Sequence, residues 1–159
     1  MTAMNGLAEK YGDKVAILGF PCNQFGHQTN EGDAEFLNTL KYVRPGNNFE
    51  VNPAITVFSK CDVNGASALP LFKYLKTSMM IPSGALGDTK DNGCDDIDAL
   101  VLPRGGFGGT TVTLWTPVCR SDIAWNFEKF LIGADGEPVK RFSRYFPTAE
   151  IATDIDALL

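Results

Sequence analysis

The stretch from Val15 to Asp33 constrains the fold of this 159-residue chain more than any other. Val15-Ala-Ile-Leu18 is a short apolar run that suits a buried parallel strand. Gly19-Phe-Pro-Cys-Asn-Gln-Phe-Gly-His-Gln-Thr-Asn30 follows it as a loop. Pro21 and Gly26 shape the turn, Asn30 fits an N-cap, and Glu31-Gly-Asp33 brings acids to the positive end of a helix. Polar groups therefore sit just past a strand's carboxyl end, the edge where open α/β sheets place ligands. Gln24 and Gln28 are uncharged donor and acceptor pairs. Such amides suit holding a polar reacting group and equally suit bonding the loop's own backbone.

The flanking segments extend the α/β pattern. Met4, Leu7, Ala8 and Tyr11 recur at helical spacing with Gly12 as a stop, and the strand spans Val15 to Phe20. A helix is expected from Asp33 to Tyr42, striped by Phe36, Leu40 and Val43 and ended by Pro45-Gly46. A second strand is expected from Ile55 to Ser59, a turn at Val63-Asn-Gly65, and a helix from Pro70 to about Lys76. Periodicity is lost from Thr77 to Thr113. There Asp88 to Gly93 fails as a calcium loop, because Lys90 and Ala99 stand where ligands should be. Arg104 to Gly109 lacks the Lys-Ser/Thr of a phosphate loop. Trp125 to Ile132 and Pro138 to Ser143 read as a hairpin, and Ile151, Ile155 and Leu158 stripe a last helix entered at Pro147-Thr148.

Bulk properties narrow the function classes. With 44% hydrophobic and 21% charged residues the chain reads as one globular domain over residues 1–159. A net charge of -5 argues against non-specific nucleic-acid binding. No apolar run reaches the roughly 18 to 20 residues of a membrane span. Cys22, Cys61, Cys94 and Cys119 show neither a C-x-x-C pair nor metal-ligand spacing, so no metal is expected and the thiols read as reduced. An even number leaves a disulfide open. The lack of an N-x-[ST] sequon fits an intracellular, cytoplasmic protein.

Phe20-Pro-Cys-Asn-Gln-Phe-Gly-His-Gln28 and, far downstream, Trp125-Asn-Phe-Glu-Lys-Phe-Leu131 closely resemble the glutathione peroxidase family. Supporting pieces occur in the family's order: Lys41-Tyr-Val-Arg-Pro-Gly46, Phe58-Ser-Lys-Cys-Asp-Val-Asn-Gly65, Leu69-Pro-Leu-Phe72, Trp115-Thr-Pro-Val-Cys-Arg120 and Lys140-Arg-Phe-Ser-Arg144. The resemblance covers the whole chain except Lys76 to Thr113. It implies a thioredoxin fold and the reduction of hydrogen peroxide and organic hydroperoxides by glutathione in the response to oxidative stress.

In that chemistry a selenolate or thiolate attacks the O–O bond, and two thiols then reduce the resulting selenenic or sulfenic acid in turn. Neutral donors aimed at the anion favour it, and the resemblance assigns them to Gln28, Trp125 and Asn126. Trp125 and Asn126 also fit a plainer role as core indole and surface amide on one strand. Cations to grip the glutathione carboxylates are implied at Arg44, Lys140, Arg141 and Arg144. Tyr145 stands where a second arginine is common in the family, which puts one carboxylate contact in doubt.

The resemblance places the nucleophile, selenocysteine or cysteine, about two helical turns upstream of Met1. The expectation is therefore a chain without that residue, the first core strand and the start of the first helix. Cys22, in an apolar strand end without a neighbouring base or cation, reads as a packed thiol. Asp33 to Val51 lacks the resolving cysteine of thioredoxin-using relatives, which favours glutathione and a selenocysteine-type ancestor. Pro45-Gly-Asn-Asn-Phe49 and the long insert before Trp115 resemble the tetrameric class, so a homotetramer is implied for the complete protein. The alternative is an inactive thioredoxin-fold protein that acts only as a binding or subunit partner.

Overall fold

The computed structural model describes residues 1–80, 82 and 113–159. The segments 88–93 and 104–109 and the thiol of Cys94 lie outside the described residues. Two compact units divide the chain: the first comprises Met1–Asn23, His27–Cys61 and Thr148–Leu159, the second Gln24–Gly26 and Asp62–Pro147.

In the first unit, α1 runs from Thr2 to Tyr11 and buries Leu7, Ala8 and Tyr11, while Met4 lies half-buried on the same stripe. Gly12 ends it at φ 57°, a left-handed value that glycine adopts without a Cβ clash, and its N–H bonds the Ala8 carbonyl. The last helix, α4 (Ile151–Asp156), follows a 3₁₀ turn at Thr148–Glu150 and buries Ile151 and Ile155. Leu158, expected on its buried stripe, is exposed beyond the helix end. Tyr11 ties α1 to α4, its hydroxyl lying 2.9 Å from the Ala152 carbonyl and 2.8 Å from Asp156 Oδ1.

Strands β1 (Ile17–Gly19) and β2 (Ile55–Val57) pair in parallel, Ile17 opposite Ile55 and Gly19 opposite Val57. Both are shorter than the apolar runs suggest, and β1 is not buried on both faces, since Leu18 is 49% exposed. Between them α2 spans Asp33–Tyr42, as expected, and buries Leu40 with Phe36 half-buried, whereas Val43, expected on the same stripe, caps the helix end and is 73% exposed. Its N-cap is Gly32, not Asn30. The Asn30 amide instead donates to the His27 carbonyl (2.7 Å) and its Oδ1 accepts from Asn23 (2.9 Å), so it closes the loop rather than the helix.

The second unit holds α3 (Pro70–Ser78), with Pro70 in its first turn, where a missing N–H costs nothing. Its hairpin pairs β3 (Lys129–Ile132) antiparallel to β4 (Pro138–Phe142). Phe142 is 0% exposed, a burial worth about 1.5 to 3 kcal/mol. Strand β3 begins four residues later than the sequence pattern suggests, because Trp125 to Phe127 form a bend and turn. Phe127 sits at φ 66°, which a strand cannot accommodate. Among the described residues the strands form these two separate two-stranded sheets, and no helix is long and apolar enough to cross a membrane.

Candidate functional site

The loop that carries Gln28 belongs to the first unit from His27 onward and is organised by Asn23. Asn23 Oδ1 accepts from the Thr29 N–H (2.9 Å), and its Nδ2 donates to Asn30 Oδ1 (2.9 Å) and approaches His27 Nδ1 (3.4 Å). Lys60 closes the far side, donating from Nζ to the carbonyls of Thr29 (2.9 Å) and Glu31 (2.7 Å). Left-handed backbone at Gly26 (φ 68°) and His27 (φ 51°) makes the sharp reversal. Gln28 is thus presented to solvent on a loop whose backbone is tied at several points.

Gln24 takes the other of the two roles open to it. Only 7% exposed, it receives the N–H groups of Val63 and Asn64 on Oε1 (3.0 Å each) and donates to the Asn64 carbonyl (3.0 Å). These three backbone bonds make it an anchor of the 63–64 turn.

In the second unit Trp125 and Asn126 occupy a half-buried bend before β3. The Trp125 ring lies tilted against Phe25 at 5.9 Å, and the Arg144 guanidinium sits 5.7 Å from its centroid. Two buried ion pairs hold the segment leading to this bend. Asp122 receives Lys76 Nζ (2.8 Å), the Trp115 indole N–H (2.8 Å) and the Cys119 N–H (2.8 Å). Asn64 fastens the next residue, accepting the Ile123 N–H (2.9 Å) and donating to its carbonyl (2.8 Å). Glu128 then caps Ala124 N–H (2.6 Å) and pairs with Arg141 (2.7 Å). Burial pushes the Glu128 carboxyl above its usual range, and the Arg141 guanidinium beside it pulls the other way.

The four cations implied by the sequence fall in different settings. Arg44 is exposed in the first unit, after α2. In the second, Lys140 lies half-buried with its ammonium 5.0 Å from the Phe142 ring centroid. Arg144 stacks on Trp125 and on Tyr145 (4.5 Å), donates from Nη2 to the Tyr145 hydroxyl, and buries an Nε that has no partner. So the structure brings Arg144 to Trp125.

Arg141 reads differently from the sequence expectation. It is 1% exposed, and besides Glu128 it donates to the carbonyls of Met79, Met80, Ser121 and Asp122 (2.9 to 3.1 Å). A guanidinium so enclosed and so fully bonded braces the 121–128 segment and has no donor to offer a soluble thiol. Lys76, Asp122 and Glu128 were not singled out by sequence reasoning, since isolated charges read as surface. The one signal was Glu128 inside the Trp125 motif.

Among the described residues no cluster of His, Cys, Asp and Glu could hold a metal ion. Gln28 lies on a braced loop of the first unit, and Trp125 and Asn126 lie on a braced bend of the second.

Comparison with known proteins bears on both motifs. Residues 1–76 match the family model described as glutathione peroxidase. Over 160 aligned residues the chain is 49% identical to glutathione peroxidase 1 of Macaca fuscata fuscata and equally to that of Rattus norvegicus, covering 99% of this chain and 70% of each relative. Among solved structures it is similar to T. cruzi GPX1 (TM-score 0.53, 25% identity, 99% of this chain and 69% of that one). It is also similar to Trgpx in its apo form (TM-score 0.51, 25% identity, 99% of this chain and 65% of that one). The fold is accordingly the thioredoxin-like α/β fold of these proteins, and the chain belongs to the glutathione peroxidase family.

Proposed function

We propose that the chain serves a glutathione-dependent peroxidase that reduces hydrogen peroxide and small organic hydroperoxides, in the cytoplasm and as a homotetramer. Both units are then parts of one glutathione peroxidase domain. The observation that carries the reading is the braced bend at Trp125 and Asn126, with the indole held between Phe25 and Arg144. Two buried ion pairs behind a bend are costly to build, and they make sense where an N–H must be aimed within a few tenths of an ångström.

In this reading Gln28, Trp125 and Asn126 donate to the chalcogenolate, a selenocysteine or cysteine supplied upstream of Met1. Neutral donors stabilise the anion without locking it in an ion pair, and they remain in place when it becomes neutral on oxidation. Arg144, Lys140 and Arg44 draw the glutathione carboxylates. Arg141 drops out of that set and becomes a brace. Tyr145 bonding Arg144 supports a grip that rests on one arginine where relatives use two.

The test is to express an extended chain from coding sequence that includes the nucleotides upstream of Met1, and to supply hydrogen peroxide with glutathione or with thioredoxin. Turnover with glutathione is expected. Turnover with thioredoxin alone would overturn the donor assignment, and no turnover with either would favour the inactive binding or subunit partner. An in-frame TGA upstream supports the selenocysteine form.

A further inference from the structure

We propose that Cys22 and Cys61 form a redox couple, closing to a disulfide when a hydroperoxide oxidises Cys61. The parallel ladder of β1 and β2 continues past the strand ends. Phe58 N–H donates to the Gly19 carbonyl (2.8 Å), and the rings of Phe20 and Phe58 stack at 4.6 Å and 4° on one face. In an unshifted ladder the Pro21 carbonyl would next receive the N–H of Lys60. That N–H instead goes to Asp33 Oδ1 (2.8 Å), and Cys61 N–H takes the Pro21 carbonyl (2.9 Å). The second strand has therefore gained one residue, as in a bulge, and Cys61 rather than Lys60 comes opposite Cys22.

Two consequences follow from that slip. Residues opposite one another on neighbouring strands lie about 4.8 Å apart. A disulfide accepts Cα separations of about 4.4 to 6.8 Å. Cys22 also shares the face of Phe20, two residues before it, and the extra residue turns Cys61 to the face of Phe58. Both thiols are reduced in the structure. Cys22 is 7% exposed and Cys61 is half-buried, so Cys61 is the thiol a small oxidant meets first.

The chemistry balances with the hydroperoxide as sole oxidant. The Cys61 thiolate attacks one peroxide oxygen, the O–O bond breaks, and the departing alkoxide or hydroxide takes a proton, leaving Cys61 as a sulfenic acid. Cys22 gives up its proton and attacks that sulfur. The S–S bond forms, the S–O bond breaks, and hydroxide leaves with a proton as water. Two thiols and one hydroperoxide yield one disulfide, one alcohol or water, and one water. Excess small thiol reverses the bond. Closure would staple the carboxyl ends of β1 and β2 at the root of the Gln28 loop. It depends on none of the residues assigned to the peroxidase reaction, so its failure would leave that reading standing.

The experiment treats the 159-residue chain with equimolar hydrogen peroxide, alkylates it in denaturant, digests it without reduction and maps the peptides by mass spectrometry. The expected result is one-for-one loss of the Cys22 and Cys61 thiols and a linked peptide pair, two hydrogens lighter than its parts. The pair should vanish with dithiothreitol and be enriched over the same reaction run on urea-unfolded chain. In Cys22→Ser the sulfenic acid should persist on Cys61 and be trapped by dimedone. Full retention of the Cys22 thiol, dominant linkage through Cys119, or no enrichment over unfolded chain would overturn the proposal.

Discussion

Arg141 shows how one residue's surroundings decide its role. Its charge and its place beside Arg144 in sequence suggest a ligand-gripping cation, yet its five donors are turned inward to Glu128 and four carbonyls. Arg141→Met should cost about 3 to 5 kcal/mol of stability, because it strands the Glu128 carboxylate inside the protein. Urea unfolding of the variant checks this, and a loss under about 1 kcal/mol would show that the pair is not a brace. Composition alone could not reveal such a role, nor that of Lys76 with Asp122, since burial of a charge depends on partners distant in the chain. Gln28, Trp125 and Asn126 are candidates only because they stand inside two long motifs in register.

At the scale of elements, α1 and α2 end at their expected stops, α3 starts at Pro70 as expected, and the hairpin connection falls between Ile132 and Pro138 as expected, while Val43 and Leu158 leave the apolar stripes expected of them. The Trp125 bend was not legible. Its apolar alternation imitates a strand, and only the positive φ of Phe127 and the Glu128 cap on Ala124 break it. The turn after β4 carries a second tertiary device. Lys129 donates from β3 to the carbonyls of Ser143 (3.1 Å) and Phe146 (2.6 Å), on either side of Arg144. Burial lowers its ammonium from the ordinary 10.5 to about 8. Between these values the unfolded chain holds a proton that the native chain has released, so this residue's contribution makes stability rise with pH. Urea midpoints compared at about pH 7.5 and about pH 9.5 should rise more for the native chain than for Lys129→Met. Parallel behaviour of the two would refute the assignment.

For the whole molecule, kinship and catalytic competence are separate matters. The family is established by 49% identity over 99% of the chain, whereas turnover is a matter for measurement. Of the three described cysteines, Cys22 is buried, Cys61 is half-buried, and Cys119 lies exposed on the loop that Asp122 caps. Residues 1–159 alone should consume hydrogen peroxide with glutathione far more slowly than the extended chain, and what turnover they show should fall to the free-thiol background in Cys61→Ser. Turnover that equals the extended chain's and survives Cys61→Ser, measured by coupled oxidation of glutathione, would contradict this. In the extended chain the decisive measurement is kcat/KM for hydrogen peroxide with glutathione, before and after Trp125→Phe. The substitution keeps the ring against Phe25 and removes the indole N–H, so the rate should fall about 10²-fold. A fall under about threefold would contradict the claim that Trp125 is aimed at the reacting chalcogen.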